Sequence, residues 1–331
     1  MPLLLACHDV VVDYGRIRLD AVSACDNRAR PAAPAAGLLA VSLDTLRNVL
    51  MIRRIVLSSL LALSLCAAAL AQQPQDELPA PVASAAAWRP AMNTRWQIQY
   101  VDEPVDVNIE ADVYKIDLFD NSARAVAAIK RRGKRAVCYV NVGAWEAWRP
   151  DAKQFSRRLL GKAYQGWPRE RWLDIRRIDE LAPVMLARLD LCRDRGFDGV
   201  LFDNLDLYLQ DTGFKITAAD QLRYIVWLAN EARRRGLAVG INNNPQQVPQ
   251  LTPYVDWAFA ESCFSQGWCN ELAPIAAAGK PVIVVEYVDD PVKVRALCGQ
   301  ALALRFTLIM KKRELDAFRQ ECAGARPASR S

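Results

Sequence analysis

The chain has 331 residues, of which 52% are hydrophobic and 24% are charged, a composition typical of a globular protein with a large core. Its net charge of +6 is mild and no lysine or arginine block is present, which argues against a nucleic-acid partner. The only histidine is His8. A mature chain without its N-terminus therefore has no residue for Ser-His-Asp or Cys-His catalysis, and we expect no metal site.

Residues 51–71 have the three-part pattern of a secretory signal peptide. Met51 is followed by Arg53-Arg54 and an apolar run that ends in Ala69-Leu70-Ala71, a small-x-small cleavage site. The apolar run is short for a membrane span. We therefore predict a secreted or periplasmic protein whose translation starts at Met51, with residues 1–50 as an over-extended N-terminal segment.

A lipoprotein anchored through Cys66 is the alternative, but Leu65 stands where a lipid-attachment signal requires a small residue. Export permits disulfides among the six cysteines that follow, which are Cys138, Cys192, Cys263, Cys269, Cys298 and Cys322. We expect the pairs Cys263–Cys269, around a short loop, and Cys298–Cys322, around the last predicted strand. The other two are predicted to be buried thiols.

From residue 95 onward, strand-like and helix-like segments alternate. The predicted strands are Arg95–Val101, Val113–Phe119, Arg135–Val142, Gly199–Asn204, Ala238–Asn243, Trp257–Ser262, Pro281–Tyr287 and Arg305–Met310. The predicted helices are 122–132, 179–195, 217–235, 270–278, 291–303 and 313–321. Alternation of this kind indicates an α/β fold with a parallel sheet.

Eight strands favour a single-domain (β/α)8 TIM-like barrel over residues 95–324. A flexible leader, 72–94, precedes it and a disordered tail, 325–331, follows it. A doubly wound sheet is the alternative, but neither G-x-G-x-x-G nor a P-loop follows any predicted strand. The longest connection, 143–178, follows the third strand, at the end of the barrel where active sites lie.

Acidic residues recur where the predicted strands end. They are Asp117, Asp203, Glu261 and Glu286, with Asp206 close behind. Several buried acids lying close together are unfavourable unless they are paired or used. Glycoside hydrolysis uses two carboxyl groups, one ionised and one protonated, on either side of the scissile bond. Aromatic residues that could stack on sugar rings fall in the same loops, at Trp145, Trp148, Trp167, Trp172, Tyr208, Trp268 and Tyr287.

These segments resemble the endo-α-1,4-polygalactosaminidase family of glycoside hydrolases, family 114. The resemblance covers roughly residues 95–290. It is carried by WQIQY (96–100), KIDLFDNS (115–122), VCYVNVGAWEAWRPD (137–151), WLDIR (172–176), ARLDL (187–191), GFDGVLFDNLDLY (196–208), ESCF (261–264) and VEY (285–287).

The resemblance implies a TIM-like barrel that cleaves a galactosamine-containing polysaccharide internally, without a cofactor. It also implies a retaining mechanism with Asp203 as nucleophile and Glu261 as acid/base, although Glu286 is a rival acid. Expected substrate contacts are Asp117, Tyr139, Glu146, Trp172, Asn204, Asp206, Asn243, Glu286 and Tyr287. The family often has Lys-Asn where this chain has Asn242-Asn243, which leaves the accepted sugar open.

Two other functions stay open from the sequence. One is a non-catalytic barrel that binds envelope or biofilm polysaccharide, and the other is a glycosidase that acts on a different sugar. A metal-dependent deacetylase is disfavoured because the mature chain lacks histidine. The expected partner is a polysaccharide, the expected state is a monomer, and no membrane span is expected once the signal peptide is removed.

Overall fold

The computed structural model describes residues 78–83, 88–101, 104–287 and 291–322. The over-extended segment, the signal peptide and the tail predicted from the sequence lie outside these residues. Within them, no helix combines the length and the apolar character that crossing a bilayer requires.

Eight parallel strands build the predicted TIM-like barrel, which the structure confirms. The described residues form these eight strands and four others. In chain order all of them are β1 (Trp96–Gln99), β2 (Val113–Asp117), β3 (Arg135–Asn141), β4 (Ala144–Glu146), β5 (Leu160–Tyr164), β6 (Trp167–Leu173), β7 (Gly199–Asp203), β8 (Ala238–Asn242), β9 (Trp257–Glu261), β10 (Val282–Tyr287), β11 (Thr307–Lys311) and β12 (Gln320–Glu321). The barrel wall runs β1-β2-β3-β7-β8-β9-β10-β11, and each neighbouring pair is parallel. All eight predicted strands are present.

Helices follow the wall strands. They are α1 (Ala123–Arg131), α2 (Ile178–Asp194), α3 (Ala218–Arg234), α4 (Val248–Leu251), α5 (Cys263–Gln266), α6 (Ala273–Ala277) and α7 (Pro291–Leu304). The cap of α3 is a capping box, in which the Thr217 hydroxyl accepts from the Asp220 N–H and the Asp220 carboxylate accepts from the Thr217 N–H. After α3, Gly236 has φ +74°, a left-handed conformation that ends the helix without a Cβ clash.

The helix predicted over 313–321 is absent, and that prediction is wrong. The segment instead lies along the seam between β11 and β1, which do not pair with each other among the described residues. β12 pairs antiparallel with β11, and the Tyr100 N–H donates to the Leu315 carbonyl at 2.9 Å. The unpaired backbone groups at the edges of β1 and β11 need hydrogen-bond partners. Supplying them outweighs the helical propensity of the charged segment 313–321.

The long connection between β3 and β7 has a fold of its own. β4, β5 and β6 form a small antiparallel sheet in the order β4-β6-β5, on the barrel end where the wall strands finish. Glu146 on β4 lies opposite Glu170 on β6. The sequence located this connection but did not predict its strands.

Apolar side chains fill the barrel interior. Trp257 lies at its N-terminal end, where a Cβ on Gly240 would come within 2.2 Å of the indole ring, so only glycine leaves room for it. Trp88 packs on Trp96 and Trp257, with ring centroids 6.4 and 6.2 Å away. A second apolar cluster lies between the wall and the helices.

The described parts of the predicted flexible leader are attached to the barrel, which differs from that prediction. The Val82 N–H donates to Asn230 Oδ1 at 2.8 Å, and the Tyr254 hydroxyl donates to the Pro79 carbonyl at 2.9 Å. Trp88 covers the N-terminal end of the barrel. Residues 78–83 and 88–94 therefore belong to the folded unit.

Three disulfides join the six cysteines of the described residues. The predicted pairs Cys263–Cys269 and Cys298–Cys322 are present. Cys138 and Cys192, predicted to be buried thiols, form a third bridge between β3 and α2, with their Cα atoms 6.0 Å apart. The correction follows from topology, because α2 packs against the face of the sheet to which the Cys138 side chain points.

Candidate active site

Three successive wall strands end in polar residues at the mouth of the barrel. Asp203, Asn242 and Glu261 are the last residues of β7, β8 and β9. Each is followed by a non-glycine residue with a left-handed backbone: Asn204 (φ +59°), Asn243 (φ +56°) and Ser262 (φ +59°). That conformation is unfavourable for such residues and is typical of functional sites.

One side-chain nitrogen joins the two candidate catalytic acids. Asn242 Nδ2 lies 2.7 Å from Asp203 Oδ1 and 3.4 Å from Glu261 Oε1. The two carboxylate oxygens are therefore no more than about 6 Å apart. The structure brings the acids of β7 and β9 to the same point above the barrel interior.

Three donors surround the Asp203 carboxylate. The Tyr139 hydroxyl donates to Oδ2 at 2.7 Å, while the Asn204 N–H and Asn242 Nδ2 donate to Oδ1 at 2.8 and 2.7 Å. Hydrogen bonds to an ionised carboxylate are among the stronger ones in proteins. These three donors fix the position of both oxygens of the Asp203 carboxylate.

Glu261 has fewer donors. The Tyr287 hydroxyl donates to Oε2 at 3.0 Å, and the contact from Asn242 is long. The Glu261 backbone N–H donates to Asn243 Oδ1 at 2.9 Å, which fixes the strand end but adds no donor to the carboxylate. The Glu261 carboxylate is therefore held by fewer and longer hydrogen bonds than the Asp203 carboxylate.

The two tyrosines remain proton donors across the physiological range. Burial, with a further contribution from Asp203, raises the pKa of Tyr139 well above its ordinary value. Burial and the neighbouring Glu261 raise the pKa of Tyr287 in the same way. Both hydroxyls therefore stay protonated and can donate hydrogen bonds to the carboxylates.

A cleft of about 430 Å³ opens beside the pair. Its lining includes Asp206, Asn243, Glu261, Trp268, Tyr287 and Arg313. Burial raises the pKa of Asp206, and Gln210 Nε2 donates to its carboxylate at 2.6 Å. The cleft combines polar groups with the aromatic rings of Trp268 and Tyr287, which suits a sugar.

Glycoside-hydrolase family GH114 matches residues 77–326, which is most of the chain and includes the whole site. The chain belongs to family GH114. The predicted family and enzyme class are thereby confirmed, and as a GH114 glycoside hydrolase the protein has a carbohydrate substrate.

Solved structures agree with this membership. Ega3 from Aspergillus fumigatus, crystallised in complex with galactosamine, is 32% identical, with 73% of this chain and 99% of that chain covered and a TM-score of 0.70. The glycoside hydrolase domain of PelA from Pseudomonas aeruginosa is 18% identical, with 69% and 98% covered and a TM-score of 0.57, and shares the fold. A protein of Deinococcus radiodurans is 24% identical over 231 residues, covering 61% of this chain and 73% of its own length.

Two of the residues predicted to contact substrate in this GH114 member are held by a buried arginine. Arg149 donates to both oxygens of Asp117, at 2.8 and 2.6 Å, and lies 3.0 Å from Glu146 Oε1. Asp117 is 3% exposed and Glu146 is 4% exposed. Their carboxylates are occupied by the ion pairs, so the structure does not support direct substrate contact for either.

Two further predicted contacts are also buried. Glu286 Oε1 accepts from the Phe264 N–H at 2.8 Å, so this acid binds the first turn of α5 and is not placed to rival Glu261. Trp172 packs on Tyr164 with ring centroids 4.1 Å apart and is almost inaccessible. The remaining predicted contacts, Tyr139, Asn204, Asp206, Asn243 and Tyr287, lie at the pair or in the cleft.

Sequence reasoning noted Asn242 only as a departure from the family pattern, and it missed Glu170. Asn141 Nδ2 donates to Glu170 at 3.2 Å. Burial, followed by repulsion from Glu146, raises the pKa of Glu170 to about 7. The signal that could have found Glu170 is the alternation of WPRERWL (167–173), in which alternate residues point to the same face of a strand.

Proposed function

We propose that the protein is an endo-acting hydrolase that cleaves α-1,4-linked galactosamine-containing polysaccharide with retention of configuration. The observation that supports retention is the shared nitrogen of Asn242, which limits the Asp203 and Glu261 oxygens to about 6 Å. Retaining enzymes hold their carboxyl groups about 5–5.5 Å apart, whereas inverting enzymes need about 6.5–9.5 Å to admit water.

The donor pattern supports the division of roles. Glu261 as an acid gives its proton to the glycosidic oxygen while an Asp203 oxygen attacks the anomeric carbon, which forms a glycosyl-enzyme ester and releases the leaving sugar. Glu261, now a carboxylate, takes a proton from water. That water attacks the same carbon, breaks the ester and returns Asp203 to its ionised form.

The galactosamine preference is supported by Ega3, which is 32% identical and was crystallised with galactosamine. An unacetylated amino sugar carries a positive charge, and the cleft presents the acids Asp206 and Glu261.

Export is supported by the signal-peptide pattern of residues 51–71 and by three disulfides in the described chain. N-terminal sequencing of the exported protein tests this proposal. A start at Gln72 supports it, and a start before Met51 contradicts it.

The test of activity is hydrolysis of a panel of amino-sugar polymers, measured as new reducing ends, with NMR to follow the first-formed anomer. We expect cleavage of a galactosamine polymer with retention, and a loss of at least about 10³-fold in Asp203→Asn. Asp211→Asn, which changes an exposed acid paired with Lys162, is the matched control and should keep activity. Binding without cleavage would support the non-catalytic barrel, and an inverted first product would overturn the proposed mechanism.

A further inference from the structure

A lysine is buried inside the barrel near the candidate catalytic pair. Lys115 lies on β2 between Val113 and Asp117, and only 1% of it is exposed. Its Nζ has no hydrogen-bond partner among the described residues. An unpaired ammonium in an apolar interior is strongly unfavourable, so its presence calls for a physical role.

Aromatic rings connect Lys115 to both acids. Its Nζ lies 3.9 Å from the ring centre of Phe259, which points inward on β9 two residues before Glu261. It lies 5.7 Å from the ring of Tyr139, whose hydroxyl donates to Asp203. Ring faces attract a desolvated cation, so this environment accepts the charge without neutralising it.

The other buried cations nearby have partners that Lys115 lacks. Arg149 is neutralised by Asp117 and Glu146. Lys311 on β11 donates to the carbonyls of Asp316 and Phe318. Burial lowers the pKa of Lys115, and Glu261 and Asp203 are the charges that oppose this.

The other titratable groups around Asp203 and Glu261 include acids but no cation in contact with Asp203 among the described residues. Those that interact with Asp203 or Glu261 are Tyr100, Tyr139, Tyr164, Glu170, Asp206 and Tyr287. The tyrosines stay neutral, while Glu170 and Asp206 are acids that repel a charged Asp203. Arg313 stacks on Tyr287, 5.1 Å from its ring centre, on the Glu261 side of the cleft.

We propose that Lys115 is a positioning residue whose buried positive charge keeps the Asp203 carboxylate ionised against the surrounding acids. Asn242, which lies between the two carboxylates, carries no charge. The positive charge is supplied instead by Lys115, on β2 in the barrel interior. The kinetic part of this inference depends on the proposed function, whereas the effect on the charge of Asp203 does not.

Lys115→Met tests the proposal because it keeps an unbranched side chain only one atom shorter and removes the charge. The acidic limb of the kcat/KM profile should move up by about one pH unit or more, which is at least a tenfold loss on the acid side. The carboxyl ¹³C signal of Asp203, assigned with Asp203→Asn, should titrate at higher pH by a similar amount in the absence of substrate.

Restoring a charge from another strand separates electrostatics from packing. Asn242→Lys in the Lys115→Met background introduces an ammonium next to both carboxylates, and it should move the limb and the carboxyl titration back toward the wild type. Lys311→Met is the matched control, because it removes a buried lysine that binds backbone carbonyls. It should lower the melting temperature and leave both profiles in place.

Unchanged Asp203 titration in folded Lys115→Met would overturn the proposal, whatever the melting temperature. If the wild type cleaves no galactosamine polymer, the proposed function fails, and the carboxyl titration still decides the role of Lys115. The proposal would also fail if the Asp203 titration shifts in Lys115→Met but Asn242→Lys does not move it back. The shift would then reflect altered packing and not the lost charge.

Discussion

The Tyr139 hydroxyl donates a hydrogen bond to Asp203 Oδ2 across two neighbouring barrel strands, with the two oxygens 2.7 Å apart. Asn242, from the strand on the other side, holds the second oxygen. The carboxylate is thus held from both sides in the plane of the barrel mouth. In the nucleophilic role proposed for Asp203, a carboxylate oriented in this way would lose little freedom on reaching the transition state.

Tyr139→Phe should lower kcat/KM by about 10- to 150-fold, because a hydrogen bond to a charged group contributes about 1.5–3 kcal/mol. Steady-state kinetics on the cleaved polymer measures this. Tyr254→Phe is the control, since the Tyr254 hydroxyl bonds the Pro79 carbonyl, away from the candidate pair, and its loss should leave kcat/KM unchanged. Equal kinetics for Tyr139→Phe and wild type would contradict a role for this hydrogen bond.

Gly143→Ala should reduce activity at least about tenfold while the protein still folds. A Cβ on Gly143 would come within 1.9 Å of the Asn204 carbonyl oxygen, so the chain directly after Asp203 must shift. Displacing a catalytic group lowers the reaction rate strongly, and Asp203 is the proposed nucleophile. Gly299→Ala, with open space around the new Cβ, is the control for activity and circular dichroism. Full activity in Gly143→Ala would show that this loop is not rigidly positioned.

Glu170 should make stability depend on pH between about 4.5 and 7. Its pKa is raised from 4.5 to about 7, so the folded state binds the proton more tightly and the free energy of unfolding falls as pH rises through this window. Glu170→Gln removes the effect. Its melting temperature relative to wild type should therefore increase from pH 4.5 to pH 8, and Glu271→Gln, at an exposed position, is the control for the substitution itself. A flat difference for Glu170→Gln would contradict the raised pKa.

The wall of the barrel could be predicted from sequence because each strand is a short apolar run bounded by turn residues. The same reasoning located Asp203 and Glu261, since parallel strands bring their carboxyl ends to one rim. The seam segment, 313–321, could not be predicted, because its conformation depends on unpaired backbone groups of β11 and on those at the end of β1, which is remote in sequence.

Side-chain direction explains the errors at the site. Glu286 lies near the end of an apolar strand, as Glu261 does, yet α5 begins beside it and its carboxylate accepts from the Phe264 N–H. Lys115 sits in a strand, VYKID, that reads as apolar apart from its charges, and sequence gives no partner for it. Local patterns predict which face a residue occupies, but the neighbouring elements decide what it binds.

The bridge between Cys138 and Cys192 should contribute more to stability than the one between Cys263 and Cys269. Their sequence separations are 54 and 6, and chain-entropy arguments give about 4 and about 2 kcal/mol for loops of these lengths. All four cysteines are buried, so both double alanine variants also lose packing, and the difference between them reports the loop length. Urea unfolding of the two double alanine variants, without reductant, compares the losses. Equal losses would contradict the loop-length argument, and free thiols in the wild type, detected by alkylation and mass spectrometry, would contradict the bridges themselves.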